Sequence, residues 1–178
     1  MTFGLLMNII KVMFIEAIKL IGLPVASLDT QSKIGDIEEL IIDPENGHFL
    51  GFMVKTGLFS EKVLASIDVS DWDPNGIVIE NEEYLVSLEE IVKIKQIVNE
   101  GLILRQMKAK TESGKNLGKV ENFLLDTNAN IVVKYYLRDL MGDTRVIGAD
   151  RVIRIEKKTV IFSDDIVIPR GKLKEQTA

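Results

Sequence analysis

Residues 34–43 read IGDIEELIID, and residues 117–126 read LGKVENFLLD. At an offset of 83, Gly35 meets Gly118, Glu38 meets Glu121 and Asp43 meets Asp126. Every apolar position also meets an apolar one: Ile34/Leu117, Ile37/Val120, Leu40/Phe123, Ile41/Leu124 and Ile42/Leu125. The same ungapped offset pairs Ala26 with Ala109, Phe52 with Tyr135, Val54 with Leu137 and Val69 with Val152, and then residues 77–79 with 160–162. One offset kept across so many segments marks an internal duplication.

Each unit reads as short strands separated by turns. In the first, strands fall near 23–28, 35–42, 49–56, 62–67 and 77–80. Asp43-Pro44-Glu45-Asn46-Gly47 and Asp73-Pro74-Asn75-Gly76 supply turn chemistry, because proline presets φ and glycine accepts positive φ. The second unit repeats the order at 104–111, 118–125, 131–138, 145–150 and 159–162. Five or six strands in about 65 residues are too few for two packed layers, so each unit is expected to close into a small barrel. Between the units, Ser87–Glu100 reads as a helix. Ser87 and Glu90 form a capping box, Leu88, Ile91, Ile94 and Val98 share one face, and Gly101 ends it.

Residues 3–21 are the most apolar run. Lys11, Glu16 and Lys19 interrupt it too often for a membrane span, and no signal-peptide cleavage site follows. Residues 3–19 read as an amphipathic helix whose apolar face packs on the barrels, forms a dimer contact or lies on a membrane surface. From about Ile18 the run can already be strand. These readings divide the chain into an apolar segment (1–17), a first unit (18–86), a linking helix (87–101), a second unit (102–168) and a flexible tail (169–178).

The 178 residues contain no cysteine, which excludes disulfides, thiolate metal sites and cysteine nucleophiles and suits a reducing compartment. One histidine, His48, cannot build a multi-histidine metal site and reads as a strand-edge residue. Charge is divided. Residues 1–100 carry 7 Lys/Arg against 17 Asp/Glu, a net −10, and residues 101–178 carry 15 against 10, a net +5. Such halves attract each other, or the opposite halves of other molecules.

A duplicated unit with this pattern resembles the PRC-barrel family. The matching residues are Gly22-Leu23-Pro24-Val25, Ile34-Gly35-Asp36-Ile37, Leu40-Ile41-Ile42-Asp43-Pro44, Gly47 and the strand 49–54. In the second unit they are Leu117-Gly118-Lys119-Val120 and Phe123-Leu124-Leu125-Asp126. That copy lacks the Gly-x-Pro-Val element and has Thr127 where the first has Pro44. The resemblance implies two tandem small antiparallel β-barrels over about residues 20–165, serving as a binding or scaffolding module with no shared catalytic residues. The family occurs in the cytoplasmic part of the photosynthetic reaction-centre H subunit and in a ribosome maturation factor.

The sharpest local motif is Asp71-Trp72-Asp73-Pro74-Asn75-Gly76 with Glu82 at the twelfth position. It fits the calcium-loop pattern. Its candidate ligands are Asp71, Asp73, Asn75 and Glu82, but strand-like residues follow where a helix is needed, so a turn is the simpler reading. Asp43 and Asp126 read as turn aspartates, since neither has a base or nucleophile beside it. Trp72 reads as packing over a barrel mouth, or as a partner anchor. Arg105, Lys108, Lys110, Lys115 and Lys119 form a basic stretch without interleaved aromatics: a solvated face, or a contact for phosphate or an acidic partner.

No catalytic residue, cofactor or metal site is expected. The sequence points to a non-catalytic cytoplasmic adaptor or scaffold whose barrels dock a protein partner. Two alternatives remain open: an RNA-processing or ribosome-assembly factor, and a peripheral component of a membrane electron-transport complex attached through residues 3–21.

Overall fold

The computed structural model describes residues 14–58, 60–156 and 158–165. In chain order these form β1 (Phe14–Glu16), α1 (Ala17–Leu20), β2 (Pro24–Ser27), β3 (Ser32–Ile42), β4 (Phe49–Lys55), β5 (Glu61–Ala65), β6 (Asp71–Asp73), β7 (Gly76–Ile79) and β8 (Leu85–Val86). Then follow α2 (Val92–Asn99), β9 (Lys108–Thr111), β10 (Asn116–Asp126), β11 (Ile131–Arg138), β12 (Thr144–Gly148), β13 (Val152–Glu156) and β14 (Thr159–Phe162). The protein is mainly β, as the sequence implies.

The strands make two seven-stranded sheets. The first runs β6-β7-β2-β3-β4-β5-β8; the second runs β12-β11-β10-β9-β14-β13, with β1 added to β10. Neither sheet closes into a barrel, which corrects the expectation of closed barrels. In the first sheet the outermost strands, β6 and β8, are three and two residues long, so little backbone is left unpaired and closure is not needed to protect it. Nor is the pairing wholly antiparallel: β2 runs parallel to β7, and β9 to β14.

The repeat is visible in hydrogen-bond register. Leu40 faces Phe52 in the first sheet, and Phe123 faces Tyr135 in the second. Both long strands are bulged at the same two places, between Ile37/Glu39 and Ile41/Ile42 in β3 and between Val120/Asn122 and Leu124/Leu125 in β10. One pairing from the sequence is corrected. Val25, not Ala26, occupies the place of Ala109: each is buried and faces the repeated glycine, Gly35 or Gly118. The preceding hairpin turn is one residue longer in the first unit, closed at Ser27–Ser32 rather than at Thr111–Lys115. The offset before that turn is therefore 84.

The linking segment also departs from the expectation of one continuous helix. The Ser87/Glu90 capping box forms, but it caps a single 3-10 turn, Leu88–Glu90. Ile91 is extended, and α2 begins at Val92. That break lets Leu88 and Ile91 join Ile94 and Ile97 over the outer face of the first sheet, against Ile41, Met53 and Val63. Gly101 ends the helix with φ +65°, as its position implies.

Within the described part of the apolar run, the expected order is reversed. Residues 14–16 are strand and 17–20 a single helical turn. β9 covers only the first part of β10, and β1 supplies the missing partner for Leu124–Asp126. Residues 3–13, and the tail expected from 169, lie outside the described residues.

A single cluster of buried side chains runs through both sheets, from Leu40, Phe49 and Phe52 to Phe123, Tyr135 and Phe162. Phe49 and Phe52 meet edge to face at 4.8 Å, and Tyr135 meets Phe162 likewise at 5.5 Å. Backbone bonds join the halves directly: Phe49 N–H donates to Asn130 O (2.8 Å) and Val132 N–H to Gly47 O (3.0 Å). The segment leading into each unit packs on the other unit's long strand at matching bulge positions. Arg105 makes a two-pronged pair with Glu39 of β3, its Nε lying 3.1 and 3.0 Å from the two carboxylate oxygens. Asn122 of β10 accepts from Ile18 N–H (3.1 Å) and donates to Glu16 (3.0 Å).

Candidate functional site

The two sheets differ in charge where one cross-strand row repeats. In the first sheet the row is Pro24–Asp36–Lys55. In the second it is Lys108–Lys119–Arg138. Residues directly opposite on neighbouring strands project from the same face. The first row therefore sets a carboxylate beside an ammonium, and Lys33 adds an ion pair to Asp36 at 2.7 Å. The second row sets three cations side by side, all exposed.

A groove of about 680 Å³ lies over this second row. Lys108, Lys110, Lys119 and Arg138 line it, together with Glu121 and Asp139. Both acids are engaged by arginines: Glu121 with Arg138 at 2.7 Å and Asp139 with Arg145 at 2.8 Å. Among the described residues, Lys108, Lys110 and Lys119 have no carboxylate within ion-pair distance. Leu140 and Met141, at the tip of the β11–β12 hairpin, are 96% and 90% exposed, and Leu140 forms one lip of the groove.

Of the five basic residues singled out in the sequence, three meet here. Arg105 does not, being clamped on Glu39, and Lys115 sits in the turn before β10. Arg138 was not singled out. It is 19 residues beyond Lys119, and only the β10–β11 register brings it into the row. Counting that hairpin back from its turn was the signal available in the sequence.

The calcium-like motif resolves into ordinary local structure. Asp71 and Asp73 stand on β6, and Asp73 Oδ1 accepts from the backbone and side-chain nitrogens of Asn75 at 2.8 and 3.0 Å. Glu82 begins a 3-10 turn beyond β7 and borders a different groove, beside Lys33 and Lys62. Among the described residues no group of three or more His, Cys, Asp or Glu is placed to hold a metal ion. Trp72, between the two aspartates, is half-buried on Phe49 and Phe52 at 5.8 and 5.7 Å. It also borders a cleft of about 290 Å³ with Leu23, Pro74 and Leu124.

Asp126 accepts from Asn128 and Ala129 N–H, holding its turn. Asp43 does the same for Glu45 N–H (3.0 Å), but it is 2% exposed and also receives Lys93 Nζ of α2 at 2.6 Å. Burial pushes the Asp43 carboxyl up, yet Lys93 and the turn N–H outweigh it and hold the group below its ordinary range. Exposed His48 places Nδ1 3.2 Å from Asn130 O, at the seam between the halves.

Two seven-stranded sheets, bulged at matching places and repeated in register, define a small, mainly β protein of duplicated design. Residues 13–110, more than half of the 178, match the PRC-barrel domain, and the chain belongs to that family. No curated protein matches it. Among the described residues no helix is long and apolar enough to cross a membrane.

Proposed function

We propose that this chain is a non-catalytic adaptor of the cytoplasm, built as two PRC-barrel-like units and docking a protein partner on their exposed faces. The observation that carries the reading is the repeated row. Two sheets share strand order, bulges and buried positions, yet one presents Pro24–Asp36–Lys55 and the other Lys108–Lys119–Arg138. A copy whose interior is kept while its surface charge is recast fits a second unit retained for what it touches. Family membership adds to this, since PRC-barrel domains in general serve binding and scaffolding.

Affinity purification of the full chain from its native cells tests the reading. The expected result is one protein partner in a fixed ratio that re-forms a complex with the purified chain. Recovery of the chain alone, together with turnover of a small molecule by that preparation, would sink the proposal.

A further inference from the structure

We infer that the groove over Lys108, Lys119 and Arg138 is a docking site for an acidic peptide segment that also carries an apolar side chain. This deepens the adaptor reading and rests on it. Like charges directly opposite on neighbouring strands destabilise a sheet. Here Lys108 faces Lys119, neither with a carboxylate partner among the described residues, while Arg138 on the other side of Lys119 is paired with Glu121 at 2.7 Å. The fold has a neutralised alternative at the same place, since Asp36 stands where Lys119 does and pairs with Lys33. The second unit thus carries an arrangement that its own sheet does not need, and carboxylates from outside would relieve it.

The rest of the groove narrows the ligand. Its two acids are taken up by Arg138 and Arg145, so they do not neutralise the lysines. No aromatic side chain is among its lining residues, which removes the stacking platform that single-stranded nucleic acid uses. Its lip carries Leu140, with Met141 beside it, both nearly fully exposed. A chain of alternating carboxylates and apolar groups would set the first on the lysines and the second on that lip.

The test titrates the full chain with three fluorescein-labelled probes: a peptide alternating glutamate and leucine, an oligoglutamate and an oligouridylate. The alternating peptide should bind best, and its affinity should fall steeply with added salt. Lys119→Asp should weaken it about tenfold or more, and Leu140→Ser about threefold. Lys62→Ala, in the first sheet's groove, should leave it unchanged. Because Lys119→Asp removes the repulsion, its melting temperature should hold or rise by about 1–2 °C, which separates lost binding from lost folding. Peptide binding that Lys119→Asp leaves unchanged would overturn the inference. Tighter binding of the oligouridylate would assign the groove to RNA, and salt-sensitive self-association lost in the same variant would assign it to a second copy; either would also overturn it. If the Lys119→Asp chain still recovers the native partner while no probe binds the wild type, this site falls and the adaptor reading stands. If the wild type recovers no partner and its preparation turns over a small molecule, the adaptor reading falls by itself.

Discussion

Gly118 and Asp43 show how much a single position holds in this fold. Gly118 has φ +106°, and a Cβ built there would lie 2.2 Å from Arg138 O. Its repeat partner, Gly35, would meet Lys55 O at 2.8 Å, so both long strands need glycine where the next strand crosses closest. Gly118→Ala should cost about 2 kcal/mol or more and lower the melting temperature by at least about 4 °C, read by thermal unfolding. Asp43 contributes to behaviour in acid. Its folded pKa lies below the ordinary 3.8, so the stability it lends is present above that value and is lost as pH falls through the folded pKa. Asp43→Asn keeps an acceptor for Glu45 N–H but gives up the charge facing Lys93. The variant should be about 1–2 kcal/mol less stable at neutral pH and show a shallower loss on acidification, by urea unfolding across pH.

At the level of elements, α2 is tied to the first sheet by its buried side chains more than by its caps. Ile94 and Ile97 are 1% and 4% exposed against Ile41, Met53 and Val63. Ile94→Ala should cost about 2–4 kcal/mol in chemical unfolding, with no effect on the groove over Lys119. The equivalent positions on the second sheet, Leu124, Tyr136 and Val146, are half-buried or exposed. The elements that the sequence revealed were those with a strong period and a turn. β11 follows the turn Asp126-Thr127-Asn128-Ala129-Asn130 and is rich in β-branched and aromatic residues, and its bounds match the reading of 131–138. β6 and β13 stayed hidden because Asp71-Trp72-Asp73 and Val152-Ile153-Arg154-Ile155-Glu156 are short and charged, and sheet neighbours hold them in place. β1 was masked by an apolar run whose charges fall at helical spacing, while its strand form depends on an unfilled edge of β10 more than 100 residues away. The cation row was half legible. Lys108 and Lys119 were visible as a basic stretch, but their facing each other depends on a bulge in the β9–β10 pairing that composition does not reveal, whereas Arg138 meets Lys119 at a plain count back from the turn, the two β10–β11 bulges cancelling.

For the molecule as a whole, the question is whether two repeats make two folding units. Among the described residues the divided charge contributes one half-buried pair between the halves, Glu39 with Arg105, at 16% and 20% side-chain exposure. Most of the contact is apolar. Leu20 and Leu104, at the entry to each unit, are 0% and 2% exposed within the one cluster that spans both sheets. Each entry segment also packs on the opposite unit's long strand, α1 on β10 and Arg105 on β3. Removing one half would strip the other of its bulge partners and open its shared core to water, at roughly 25 cal/mol for each Å² of apolar surface uncovered. The full chain should therefore unfold in one cooperative step. Trp72 fluorescence, which reports the first sheet, and far-ultraviolet dichroism, which reports both, should give coincident midpoints in urea. The fragment 14–86 should lack a stable fold, with collapsed amide dispersion in its nuclear magnetic resonance spectrum. A well-dispersed fragment with its own sharp transition would show instead that each repeat folds independently, and that the continuous core is a contact between finished domains.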